Sequence, residues 1–143
     1  PTAGLAGTLA LAFVAPPERL LLGQDPVYGP GRIAQRLFRV HRATAWALGE
    51  AMRFTYGPAL GLLFARWRSG LPRSSAAAGA LLGEAVLAFE LVALPAVGAT
   101  PRIRRWSARE VALHIAQSAL FGLTTALVYD RLITSNAPRR RFR

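Results

Sequence analysis

The sequence predicts an all-α integral membrane bundle, a single domain over 1–143 with about four transmembrane helices and one short amphipathic helix at the interface. Four observations predict it. Hydrophobic residues fill 52% of the 143 positions and charged residues only 17%, against about 25% charged in soluble domains. Four stretches are long enough to approach or exceed the ~20 apolar residues that cross a bilayer core. Each carries one or two polar side chains, the pattern of helices that turn a polar stripe toward one another rather than toward lipid. Small residues also recur four positions apart in every stretch, which lets helix backbones approach closely. Mean hydropathy of +0.29 excludes intrinsic disorder.

The first helix is expected over about 2–22. It opens with TAGLAGTLALAFVA and carries the small pair Ala3 and Gly7. Pro16-Pro17 interrupts it ahead of Glu18 and Arg19, a break that neighbouring helices can compensate. No basic segment precedes this apolar run, so a secretory signal is not the expectation. Asp25-Pro26 and Tyr28-Gly29-Pro30-Gly31 then supply turn chemistry. A short helix over about 31–42 follows. Ile33, Leu37 and Val40 share one face, and Arg32, Arg36 and Arg39 share its neighbour, as in an interfacial helix with its apolar side in the acyl boundary. The alternative is a connector packed on its own protein.

The second long helix, about 44–67, contains Glu50, Arg53 and Pro58 and the pair Gly57 and Gly61. RSGLPRS (68–74) reads as a tight polar turn. The third, about 75–98, contains Gly79 and Gly83 together with Glu84 and Glu90. Between it and the fourth, Arg102, Arg104 and Arg105 lie beside Trp106, a mixture suited to the headgroup layer. The fourth, about 107–133, contains His114, Gln117 and the pair Ser118 and Gly122, and closes on Asp130-Arg131. A basic tail occupies 136–143.

All 18 basic residues are arginine, against 7 acidic ones, for a net charge of +11. The arginines flank the apolar stretches instead of forming one stripe. The expected partners are therefore anionic lipid headgroups and other membrane-protein subunits, not nucleic acid. Arg32, Arg36, Arg39, Arg102, Arg104, Arg105 and Trp106 are the expected lipid or partner contacts, with Trp46 and Trp67 as further anchors. A four-span arrangement puts nine arginines on one side and eight on the other, so the positive-inside rule gives no orientation. The chain has no cysteine, which excludes disulfides and thiolate chemistry.

Polar groups inside the spans form the candidate site: Glu50, Arg53, Tyr56, Glu84 and His114. Glu50 and Arg53 are three apart on one helix and can pair. Glu84 has no basic residue within a turn, so it needs a partner on another helix, a proton or water; Arg53 and His114 are the candidate partners. One reading is a buried proton-accepting carboxylate with Tyr56 and His114 as relay, and the other is a polar clamp that fixes helix register. Glu90, six residues beyond Glu84, points to a different face and approaches an interface. His114 carries an imidazole of the kind that ligates metals or pigments. Glu110 and His114 are four apart, unlike the three-residue spacing of di-iron bundles, so no cofactor and no metal are expected. No phosphate-binding glycine loop or nucleophile elbow is present, and no enzymatic activity is expected.

The order of features resembles the YagU-like family of small bacterial inner-membrane proteins. It rests on AGLAGT (3–8), Arg32-Ile33-Ala34 after a Pro/Gly turn, and Tyr56-Gly57 with Gly61. Further along, it uses Gly79 and Gly83 with Leu94-Pro95, then Phe121-Gly122 with Tyr129. The resemblance implies a multi-pass, four-helix protein of the bacterial inner (cytoplasmic) membrane and supplies no activity. The expected function is a non-catalytic accessory or scaffold subunit of a larger membrane complex, such as a respiratory or photosynthetic one. The alternative is a small transporter or proton-handling protein using Glu84, Arg53 and His114.

Overall fold

The structure, a computed structural model, describes residues 1–22, 29–98 and 103–136, and every regular element among them is helical. Five α-helices follow in order: α1 Thr2–Leu22, α2 Gly29–Phe38, α3 Arg42–Trp67, α4 Ser75–Ala96 and α5 Ala108–Asn136. Short 3-10 turns lie at Arg68–Gly70 and Ile103–Arg105. The all-α expectation holds, while the number of apolar spans is smaller than the expected four. Among the described residues two helices, α4 and α5, are long and apolar enough to cross a membrane by length and composition. Among the described residues a shorter apolar helical stretch, Thr2–Phe13, lies in α1, and α3 is diluted by Glu50, Arg53 and its terminal arginines.

Helix ends follow local chemistry. The Ser74 hydroxyl caps α4 by accepting from the Ala77 N–H at 3.4 Å. At the start of α5, Ser107 and Glu110 form a reciprocal capping box. The Glu110 N–H donates to Ser107 Oγ at 3.2 Å, and the Ser107 N–H donates to Glu110 Oε2 at 2.7 Å. Beyond α4, Gly98 adopts a φ of 68°, the left-handed cap that glycine accepts without a Cβ penalty. Helix α1 continues through Pro16-Pro17 over the expected 2–22, although each proline removes a backbone donor. One difference from the sequence reading appears early in the chain. Helix α2 stops at Phe38, because Arg39 takes a φ of 51° and its N–H closes on the Gln35 carbonyl at 3.0 Å. Arg39 and Val40 therefore lie beyond the helix on which they were expected.

Packing uses the small residues. Helix α1 lies against both α3 and α5, α4 lies against α5, and α2 lies against α3. At the α1–α3 crossing, Gly4 meets Gly57 and Gly61 backbone to backbone; a Cβ at Gly61 would fall 2.6 Å from the Gly4 nitrogen. At the α4–α5 crossing, a Cβ at Gly79 would fall 2.8 Å from Leu123 Cα, and one at Gly83 would fall 2.7 Å from the Ser118 carbonyl oxygen. Gly7, on α1, faces Phe121 and Thr125 of α5. Three of the small pairs read from the sequence thus mark real crossings, and on α1 Gly4 joins Gly7. Close approach brings many backbone atoms into dispersion contact.

Larger side chains close the remaining gap between α3 and α4. Phe64, 2% exposed, forms a core with Ala78 and Ala126, flanked by Leu71, Leu82 and Tyr129. Helix α2 buries Ala34 completely and leaves Phe38 exposed, so part of its apolar face is spent on its own protein.

Candidate functional site

Two polar regions sit at different places in the bundle. The first gathers where α3 ends, α4 begins and α5 approaches its C-terminus. Arg68 donates from Nε to Asp130 Oδ1 at 2.9 Å and from Nη2 to Asp130 Oδ2 at 2.8 Å, a bidentate pair. The same guanidinium donates to the Pro72 carbonyl at 2.8 Å and to the Arg73 carbonyl at 3.0 Å. Ser75 adds a third bond to the carboxylate, Oγ to Oδ2 at 2.6 Å. The hydrogen bond to Asp130 raises the Arg68 pKa above its already high ordinary value. Phe64 lies 6.0 Å beneath the guanidinium and meets Tyr129 edge to face. The chemistry of this cluster is structural: it ties the α3–α4 turn to α5.

The second region lies toward the C-terminal half of α4 and the N-terminal half of α5. His114 Nδ1 is 3.6 Å from Glu90 Oε2, too far for a hydrogen bond. That nitrogen is buried and has no hydrogen-bond partner. Trp106 covers the imidazole, with ring centroids 4.7 Å apart and planes 27° from parallel. From α3, Tyr56 stacks on Phe89, the residue before Glu90, at 6.3 Å. An acid and a base from two helices thus stand close together, both partly exposed, with the indole against the base and the Tyr56 ring against the residue that precedes the acid. Proton exchange is the chemistry such a set can perform. No group of three or more metal-ligating side chains occurs among the described residues.

This differs from the cluster expected from sequence. His114 is where it was expected, but Glu84 is not buried beside it; it is exposed on the outside of α4. Tyr56 is 37% exposed rather than buried. Glu50 and Arg53 are half-buried on α3, and neither is without an interaction partner. The rotation of α4 explains the change. Gly79 and Gly83 turn toward α5, and successive helical residues are ~100° apart. Glu84, next to Gly83, is carried outward, while Glu90, seven beyond Gly83, returns to the inner face. Counting from the glycines would have selected Glu90. Asp130 and Arg68 gave no local signal, being 62 residues apart.

Among the expected lipid or partner contacts, Arg39, Arg104 and Arg105 are exposed. Trp106 instead covers His114. Arg102, the side chains of Arg32 and Arg36, and the tail 137–143 lie outside what is described. Near the Arg68 end, an open apolar cleft of about 460 Å³ is lined in part by Ala65, Tyr129, Leu132 and Ile133.

No protein-family model, curated protein or solved structure matches this chain.

Proposed function

We propose that the chain is a multi-pass protein of the bacterial inner membrane, with α1, α3, α4 and α5 all in the bilayer, serving without catalysis as an accessory or scaffold subunit of a larger membrane assembly. The YagU-like resemblance agrees with this reading. The observation that carries it is Glu84. This carboxylate is the tenth of 22 residues in α4, is exposed, and makes no hydrogen bond or ion pair among the described residues. A lone charge at mid-bilayer costs roughly 2.5–3.5 kcal/mol even on insertion scales. A neighbouring protein that covers it removes that cost.

Other features support the lipid setting. Only 28% of each apolar window in α4 and α5 is buried, and Phe13, Phe89, Val92 and Ile115 are exposed. On α3, exposed Trp46 and Trp67 are 21 residues apart, roughly 31 Å along a helix, which matches a hydrocarbon core with an aromatic belt at each boundary. The test is extraction and native size. The protein is expected to resist alkaline washing of membranes and to run in mild detergent as part of a larger complex. Glu84→Leu is expected to release it from that complex with its own unfolding temperature unchanged.

A second reading, a small proton-handling protein, is favoured by the unpartnered His114 Nδ1 beside Glu90. Its working residues are Tyr56, Glu90 and His114, in place of Glu84, Arg53 and His114. A pH-sensitive dye inside proteoliposomes tests it: Glu90→Gln and His114→Gln abolish any flux on this reading and leave complex size unchanged.

A further inference from the structure

We infer that Glu90, His114 and Trp106 form a pH-sensitive latch, in which protonation of the imidazole ties the C-terminal half of α4 and the segment ahead of α5 onto α5. The latch uses residues of the proton-handling reading but does not share its premise, since it needs no passage of protons across a membrane.

Geometry supplies two partners that act on a charged ring. Glu90 Oε2 is 3.6 Å from His114 Nδ1, and that nitrogen is buried without a hydrogen bond. A proton placed there faces a carboxylate, and closing the gap by less than about 1 Å makes a charge-assisted bond. The Trp106 indole lies against the ring at 4.7 Å, with planes 27° from parallel. An aromatic face attracts a cation through its quadrupole and has no such pull on a neutral imidazole. The neutral ring therefore holds neither neighbour firmly, and the protonated ring holds both. Three elements meet at this one side chain: α4 through Glu90, α5 through His114 itself, and the segment after the Ile103–Arg105 turn through Trp106.

The surrounding charges leave the choice to His114. On its own helix, Glu110 is engaged by the Ser107 N–H at 2.7 Å and the Ser107 hydroxyl at 2.9 Å, and Arg109 has an interaction partner. On α4, Glu84 is exposed on the outer side. On α3, Tyr56 stacks on Phe89 and lies within electrostatic reach of Glu90, while Glu50 and Arg53 have partners. Arg104 and Arg105, beside Trp106, are exposed. Helix α1 contributes Glu18 and Arg19, whose side chains lie outside what is described. Among these side-chain types, imidazole is the one that, unperturbed, changes charge between pH 5 and 8. His114 is the seventh residue of α5 and its side chain is 28% exposed, so protons reach it from the adjacent surface.

Two measurements on the full chain test the latch. In phospholipid vesicles, Trp46→Phe and Trp67→Phe leave Trp106 as the one tryptophan of three, and its emission is followed from about pH 8 to about pH 5. An imidazolium stacked on an indole quenches it, so a single-proton fall in emission is expected. His114→Gln is expected to lose the step. His41→Gln, which alters the chain's other, exposed histidine, is expected to keep it. In detergent, with all three tryptophans present, a double-mutant cycle between Glu90→Gln and His114→Gln is read by unfolding. The bond needs an ionised Glu90 and a protonated His114, so the coupling is present at acid pH and lost as the ring gives up its proton. It is expected to be about tenfold in the unfolding equilibrium near pH 5.5 and about twofold or less near pH 8.

A flat emission profile, a step that survives His114→Gln, or equal couplings at the two pH values overturns the inference. Dye flux in proteoliposomes is read separately. A chain with the step and the acid coupling but no flux keeps the latch and loses the proton-handling reading, and a chain that moves protons with a flat profile loses the latch.

Discussion

The two polar regions of the bundle differ in how fully their groups are satisfied. At the Arg68 end, one guanidinium makes four hydrogen bonds within 3.0 Å, and the carboxylate that it holds takes a further bond from Ser75. At the His114 end, the acid and the base stand 3.6 Å apart and the buried ring nitrogen makes no hydrogen bond. A charged network with every group paired fixes geometry, whereas a half-made one leaves a group free to accept a proton or partner. The first region holds the helices together; the second is where chemistry can occur. Glu84 belongs to neither and points outward.

Substitutions can break or sharpen that contrast. The largest effect is expected where both regions depend on the same support. Gly83→Val forces a side chain against the Ser118 carbonyl and separates α4 from α5. A loss of about 3 kcal/mol or more should appear as a much lower unfolding temperature in detergent, and an unmoved midpoint would show that the crossing does not hold the helices. Next comes Arg68→Ala, which strips Asp130 of its bidentate partner and the turn carbonyls of their donor. A loss of about 2–3 kcal/mol is expected by thermal or denaturant unfolding.

Smaller effects belong to the other end. Ser107→Ala removes the α5 cap and should cost about 1 kcal/mol. His114→Gln and Glu90→Gln should each cost less than that, and a double-mutant cycle between them should give a coupling below about 0.5 kcal/mol. The Arg68–Asp130 cycle should exceed 1 kcal/mol. Equal couplings in the two cycles would erase the contrast between the regions.

Much of this architecture is legible in the sequence because it rests on local signals. The long apolar stretches lie close to α1, α3, α4 and α5, and the pairs Gly57–Gly61, Gly79–Gly83 and Ser118–Gly122 mark actual crossings. Spacing of four is a property of one helix and needs no knowledge of the others. The Ser107–Glu110 box is equally local, though the sequence reading passed over it. The extent of α1 through its prolines agrees with the expected 2–22.

Composition and periodicity determined that the chain is helical, that its helices present apolar surface, and that small residues bring them close. They could not determine which way each helix turns its remaining polar side chains. Glu84 and Glu90 are equally acidic and lie on the same apolar helix. Only the choice of α5 as the partner for the Gly79–Gly83 face sends Glu90 inward to His114 and Glu84 outward. Arg68 and Asp130 meet for a similar reason: two distant segments are brought together by the packing of three helices, and no window of sequence contains both.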